Sequence, residues 1–94
     1  MFQNYVLYED PGHGWLAVSA GELKTLNISD KISGYSYQSP DGFTVYLEED
    51  CDLDIFAKAK GWTRIPEEIR RVYRDHLFVR DLPHYSALIS QGRE

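Results

Sequence analysis

The chain has 94 residues, of which 43% are hydrophobic, and its net charge is −5. This length and composition indicate one globular domain and exclude a disordered chain, a collagen-like repeat and a coiled coil. A single cysteine excludes an intramolecular disulfide, and no stretch reaches the roughly 20 apolar residues that a membrane span needs. The N-terminus lacks the basic and apolar regions of a secretory signal, so we expect a cytoplasmic protein.

The N-terminal quarter of the chain predicts a hairpin followed by a short helix. Residues 3–8 (QNYVLY) and 15–18 (WLAV) are rich in strand-forming residues, and Pro and Gly separate them at 11–14. An S-x-x-E capping-box motif precedes leucines at helical spacing, which predicts a helix over residues 20–26. Asn27 is expected to end this helix in the left-handed conformation.

A second hairpin and a second helix are predicted next. Residues 32–38 and 43–47 are rich in strand formers, and the Ser-Pro-Asp-Gly sequence at 39–42 is a strong turn signal. An acidic stretch then leads into an apolar segment over residues 53–60, which ends in lysines before Gly61. Acids at the start and bases at the end match the helix dipole, so this segment is predicted to be helical.

The C-terminal third allows two interpretations. Apolar residues recur at helical spacing behind a proline, which predicts a helix within 66–79, but a strand over 71–79 competes with it. We expect residues 1–85 to form the domain and residues 86–94 to be a flexible tail. The elements together predict an α+β domain, with an antiparallel sheet from two hairpins in ββαββα order and helices packed on one face.

The charge is divided unevenly along the chain. Residues 1–57 carry ten acids and two bases, whereas residues 58–94 carry eight bases and five acids. An acidic body binds phosphate weakly, so nucleic acid is not the expected partner. The negative charge is suited to a partner protein with a basic surface, because electrostatic attraction would accelerate the association of the two proteins. The alternative is that the charge serves solubility alone.

Five carboxylates stand within seven positions at the start of the second predicted helix. Their spacing begins like a calcium loop, but Ile55 and Gly61 stand where an EF-hand needs Gly and Glu. Helix capping and the dipole explain the carboxylates as well as binding does. If they form a contact surface for a basic partner, with tyrosines as anchors, its residues are Glu48, Glu49, Asp50, Asp52, Asp54, Tyr35 and Tyr37.

His13 and Cys51 are the other candidates for chemistry. His13 stands between two glycines, where it is exposed and able to bind a ligand, although this is also ordinary turn sequence. Cys51 is most simply a small buried residue, and its acidic neighbours would raise the pKa of the thiol. We expect no catalytic residue, cofactor or metal, because the histidines and the cysteine lack metal-site spacing. A metal-dependent or hydrolytic enzyme using His13 and carboxylates is the open alternative.

A basic face in the C-terminal third is an alternative binding surface. On a helix its arginines would lie together and could contact phosphate, but pairing with Glu67 is the simpler role. The same arginines could meet the acidic half of a second copy and form a homodimer or larger homo-oligomer. The residues of this face are Arg70, Arg71, Arg74 and Arg80.

Three segments carry a resemblance to a known group of proteins: GHGWLAV at 12–18, DKISGYSY at 30–37 and VYLEEDCD at 45–52. They resemble small uncharacterised proteins of bacterial phages, prophages and plasmids, over about residues 5–60. The resemblance implies a mobile-element protein and supplies no catalytic residue. By analogy with anti-CRISPR and anti-restriction proteins, we expect a non-enzymatic inhibitor that occupies a host protein.

Overall fold

The computed structural model describes residues 5–87, which form a five-stranded sheet, two α-helices and two short 3-10 helices. The strands are β1 (Val6–Glu9), β2 (Gly14–Ser19), β3 (Tyr37–Gln38), β4 (Thr44–Glu48) and β5 (Arg70–Tyr73). The α-helices are α1 (Ala20–Thr25) and α2 (Asp52–Lys60), and the 3-10 helices are Ser29–Lys31 and Phe78–Asp81. The predicted α+β class is confirmed. No helix between residues 5 and 87 has the length and hydrophobicity that crossing a bilayer demands.

The strands lie in the order β3-β4-β2-β1-β5. The β1–β2, β2–β4 and β3–β4 pairs are antiparallel. Strand β5 pairs with β1 in parallel, so the prediction of an antiparallel sheet is wrong for this edge. Strand β4 runs in the same direction as β1 and β5, and α2 with its flanking segments supplies the long crossover from β4 to β5. The strands and α-helices follow one another in the order β1-β2-α1-β3-β4-α2-β5. This order differs from the predicted ββαββα order by the additional strand β5.

Helices α1 and α2 cover one face of the sheet. Leu7, Leu16 and Leu47 lie on three neighbouring strands and belong to one buried cluster. Leu23 of α1 and Phe56 of α2 are fully buried in the same cluster. Burial of these large side chains is the main favourable contribution to folding on this side.

The helix ends follow the signals that the sequence predicts. The Ser19 hydroxyl accepts the Glu22 backbone N–H at 3.0 Å, which caps α1, and Asn27 adopts a positive φ of 62° after it. Helix α2 ends at Gly61, where φ is 78°. The Lys60 ammonium lies 2.7 Å from a Glu22 carboxylate oxygen, so an ion pair joins the two helices.

The C-terminal segment covers the opposite face of the sheet. Trp15 of β2 and Tyr46 of β4 form a second buried cluster with Leu77 and Val79. Leu77 directly precedes the Phe78–Asp81 helix and Val79 is its second residue, so this helix packs against the sheet. The sheet is therefore a central layer, with helices on one side and an irregular segment on the other.

The helical interpretation of residues 66–79 is wrong, because this stretch contains β5 instead. Ile69 is buried on the helix side of the sheet, whereas Leu77 is buried on the opposite side. One helical face cannot bury both residues. Pairing of β5 with β1 also satisfies backbone groups that β1 would otherwise leave open at the sheet edge.

Residues 32–36 form a turn instead of the predicted strand, because their serines bind a buried carboxylate described below. Part of the predicted first strand, residues 3–4, lies outside the described residues. The predicted flexible tail lies outside them at 88–94. Within the tail, the Ser86 backbone N–H donates to the Gln38 side-chain oxygen at 2.9 Å.

The left-handed end of α2 gives a direct test of this fold. We expect Gly61→Ala to lower the free energy of unfolding by about 1 kcal/mol, because a Cβ is strained at this positive φ. Gly21→Ala is the matched control: it lies within α1 in open space, so it should raise stability by about 0.5 kcal/mol. Urea unfolding measures both changes. A Gly61→Ala variant as stable as the wild type would contradict this helix end.

Candidate functional site

A cleft opens on the face opposite the helices, where the β1–β2 loop, the end of β4 and the last 3-10 helix meet. Its volume is about 310 Å³. Its lining combines imidazole, carboxylate, thiol, guanidinium and aromatic groups from His13, Trp15, Tyr35, Tyr37, Glu48, Asp50, Cys51 and Arg80. The tertiary structure thus brings together candidates from four separate parts of the sequence.

An ion pair between Asp10 and Arg80 anchors this region. Arg80 donates to both Asp10 carboxylate oxygens, at 2.6 and 3.2 Å. The carboxylate also accepts the backbone N–H groups of Gly12 and His13, and its side chain is only 4% exposed. The hydrogen bond from Arg80, supported by the two backbone donors, holds the pKa of Asp10 well below its ordinary value despite burial.

His13 lies beside two carboxylates that are distant in sequence. Its Nδ1 is 3.1 Å from Glu48 Oε2 and 3.8 Å from Asp50 Oδ2. The His13 side chain is 45% exposed and Asp50 is 70% exposed, so the group lies at the mouth of the cleft. One imidazole nitrogen and two carboxylate oxygens can share a proton or hold a cation.

Glu48 has a fixed orientation within this group. It pairs with Trp15 across β2 and β4, which turns its side chain toward the cleft face. Its Oε1 accepts the Asp50 backbone N–H at 2.8 Å, and its Oε2 faces His13. The Glu48 side chain is only 9% exposed. The Glu48 carboxylate therefore lies inside the cleft and does not extend into solvent.

Aromatic rings form the wall of the cleft. The Trp15 ring lies 4.9 Å below the Arg80 guanidinium and 6.0 Å from the Tyr37 ring. Tyr37 stacks on His84 at 4.9 Å, which holds it against the sheet. Tyr35 is 71% exposed at the rim. Of the two predicted tyrosine anchors, Tyr35 is thus the one that solvent reaches freely.

Cys51 is exposed, which differs from the expectation of a small buried residue. Its thiol pKa is raised, first by desolvation, then by a hydrogen bond with Glu48 and by nearby carboxylate charges. A raised pKa leaves little thiolate at neutral pH, so Cys51 is a weak nucleophile. The acidic neighbours have the effect that the sequence predicts.

Asp52 has a structural role. It is 1% exposed, and its Oδ2 accepts the Ser33 N–H at 3.1 Å, the Ser33 hydroxyl at 2.8 Å and the Ser36 hydroxyl at 2.5 Å. These bonds fasten the loop before β3 to the first residue of α2. Asp52 therefore cannot contribute to a contact surface in the folded chain.

The remaining acids are exposed: Glu49 and Asp50 lie in the turn between β4 and α2, and Asp54 lies in the first turn of α2. We call these three residues the acidic corner. Glu49 and Asp54 line one shallow depression beside α2. The pKa of Glu49 is raised by desolvation and then by the charges of Asp50 and Glu48. Asp54 lies 3.1 Å from Lys58, one helical turn later. Like charges are therefore crowded at this corner.

The predicted basic face is not assembled. Arg70 and Arg71 are neighbours on β5, so their side chains point to opposite faces of the sheet. Arg71 lies 3.4 Å from Glu9, and Arg74 donates to a backbone carbonyl at 2.8 Å. Arg80 lies in the cleft with the aromatic residues. The helical interpretation that grouped these arginines fails because the segment is a strand.

Asp10 is the residue of this region that sequence reasoning missed. An Asp before Pro-Gly is a turn former, and this signal could have identified its bonds to the next backbone N–H groups. Its partner Arg80 lies 70 positions away. No local pattern connects the two residues.

No protein-family model matches the chain, and no curated protein or solved structure shows significant similarity to it. The resemblance of residues 5–60 to proteins of phages and plasmids therefore remains a prediction. The chemistry of the cleft and of the acidic corner is the basis for assigning a function.

The two roles within the acidic run are separable by mutation. We expect Asp52→Ala to lower the free energy of unfolding by about 3 kcal/mol, because it leaves the buried Ser36 hydroxyl and two half-buried Ser33 donors without their acceptor. Asp54→Ala, two positions later, is the control and should change stability by about 0.5 kcal/mol or less. Thermal and urea unfolding measure both variants. Equal stability of the two would show that Asp52 has no structural role.

The Asp10–Arg80 pair predicts a pH dependence. We expect Asp10→Asn to cost about 2 kcal/mol at neutral pH, less than a fully buried pair, because Arg80 is half-exposed. The folded-state pKa of Asp10 is depressed, so its stabilisation is present above the unfolded pKa of about 3.9 and declines at lower pH. The stability gap between wild type and variant should therefore narrow below that pH. Urea unfolding from pH 7 to 2.5, with exposed Asp30→Asn as control, tests this; a constant gap would contradict it.

Proposed function

We propose that this protein is a small acidic binding protein without enzymatic activity, which occupies a basic surface of another protein. The crowding of exposed carboxylates at the acidic corner is the observation that supports this proposal most directly. The further proposal, that the partner is a bacterial host protein and is inhibited, depends on the resemblance to phage and plasmid proteins.

Electrostatics at the corner favour a cationic partner. Desolvation raises the pKa of Glu49, and repulsion by the like charges of Asp50 and Glu48 raises it further. Lys58 lies near only one member of the corner, Asp54. A basic surface would relieve the repulsion and would be attracted over several ångströms before contact.

Tyr35 adds an anchor beside this charge. It is exposed and lines the same cleft as Asp50. Tyrosine at the centre of an interface contributes apolar contact area together with a hydroxyl that can form a hydrogen bond. Tyr37 supports this part of the cleft through its stack on His84. We therefore place the contact surface across the corner and the adjoining rim.

Nucleic acid is a poorer candidate partner. The four arginines of the predicted basic face do not share one surface. Arg70 and Arg71 lie on opposite faces of β5, Arg74 follows this strand, and Arg80 lies in the cleft. Arg71 and Arg80 already pair with acids. A phosphate backbone needs several cations along one surface, and this distribution does not supply them.

Charge reversal at two corner residues tests the proposal. The double variant Glu49→Lys with Asp54→Lys leaves the cleft residues unchanged. The control, Asp30→Lys with Glu68→Lys, changes the net charge equally at exposed acids elsewhere. Each protein is used to capture partners from a bacterial lysate at low and high salt, and association with the captured partner is then measured with purified components.

We expect a partner that wild type and control retain at low salt and that the corner variant loses. High salt should weaken the complex because it screens exposed charges. Association should be about tenfold slower for the corner variant than for the control. Equal binding by both variants, or no specific partner for the wild type, would overturn the proposal.

A further inference from the structure

Three potential metal ligands converge at the mouth of the cleft. His13 Nδ1, a Glu48 carboxylate oxygen and an Asp50 carboxylate oxygen all lie within 4.8 Å of one another. The same nitrogen of His13 faces both carboxylates, at 3.1 and 3.8 Å. The set therefore has a common centre toward which each donor can point.

The spacing matches a small divalent ion. Zinc binds imidazole nitrogen and carboxylate oxygen at about 2.0–2.2 Å, so two ligands of a tetrahedral site lie about 3.4 Å apart. The two separations from His13 Nδ1, 3.1 and 3.8 Å, bracket this distance. Small rotations of the exposed Asp50 side chain would bring its oxygen to the remaining position.

Other contacts already position the donors. The His13 backbone N–H donates to Asp10 at 2.8 Å, and Arg80 holds that carboxylate in turn. The Asp50 backbone N–H donates a hydrogen bond to Glu48 Oε1, and the other carboxylate oxygen, Oε2, faces His13. Contacts of this kind, one step behind the ligands, orient metal sites in proteins.

A second, independent observation comes from the wall of the same cleft. Among the described residues, the indole Nε1 of Trp15 is a buried side-chain atom without a hydrogen-bond partner. Trp15 is 2% exposed, lines the cleft and lies 5.9 Å from the His13 ring. A buried donor without an acceptor is expected where a water or an anion accepts its hydrogen bond, and such a group could occupy a coordination position of a metal ion that the protein leaves open.

We propose that His13, Glu48 and Asp50 bind a divalent transition-metal ion, with Zn²⁺ as the best match to one imidazole and two carboxylates. The remaining coordination positions would face the cleft and hold water or an anion. The acidic surroundings favour a cation here, because Arg80 is already paired with Asp10. This site needs only the chain itself, so it does not depend on the protein partner proposed above.

Calorimetric titration of tag-free, chelator-treated protein with Zn²⁺ tests the site. His13→Ala and Asp50→Asn remove one ligand each from exposed positions, where folding is least affected. The matched controls are His76→Ala and Asp54→Asn, which change the same residue types outside the cluster. Circular dichroism verifies that every variant is folded, and NMR of the imidazole groups reports which histidine responds to the ion.

We expect one Zn²⁺ per chain, affinity about tenfold or more lower in both ligand variants, and controls within about twofold of wild type. The His13 imidazole signals should shift on binding, while those of His76 and His84 should not. Absence of saturable binding, or equal affinity of His13→Ala and wild type, would overturn the site. Loss of binding in Cys51→Ser with retention in His13→Ala would place the ion at the thiol and would also overturn it.

Discussion

The Asp10–Arg80 ion pair joins the first loop of the chain to its last described helix. Arg80 lies over the Trp15 ring while it binds Asp10, so one side chain fastens the loop and covers the aromatic wall. The Asp10 carboxylate in turn holds the backbone of the loop that carries His13. Together with the burial of Leu77 and Val79, this contact holds the C-terminal segment on the second face of the sheet, where the cleft forms.

The acidic run from Glu48 to Asp54 shows how neighbouring residues of one type acquire different roles. Asp52 is buried under two serine hydroxyls and stabilises the start of α2. Asp50, two positions earlier, projects from the turn and remains mostly in solvent. The change from strand to helix at this turn sends successive side chains in different directions. A carboxylate's surroundings, and not its type, decide whether it stabilises the fold or is available for binding.

The acidic corner and the proposed metal site share Asp50, yet they use different chemistry. The corner depends on long-range attraction between exposed charges, which needs little geometric precision. The metal site depends on convergent donors whose positions are fixed by Asp10, Glu48 and the strand register. A single small domain can present both because the sheet supplies a rigid base and the loops supply the groups.

Local patterns in the sequence predicted much of the fold. The two hairpin pairings, the Ser19 cap, the left-handed Asn27 and the stop at Gly61 all follow from residues close together in the chain. The helical spacing of apolar residues over 69–77 led to a wrong prediction of a helix. The same spacing arises when a strand and the segment after it bury apolar residues on opposite sides of a sheet. The sequence shows that five acids lie close together between Glu48 and Asp54. Their spacing did not predict which of these acids are buried and which are exposed.

The amino-acid sequence by itself determined the α+β class, the turns, the helix ends and the excess of negative charge. Each of these depends on backbone preference or composition within a few residues. Only the tertiary structure decided that β5 pairs in parallel with β1 and that Asp10 forms an ion pair with Arg80. It also decided that His13 lies beside Glu48 and Asp50. These contacts join residues that are tens of positions apart, and only the folded arrangement of strands and loops brings such groups within bonding distance.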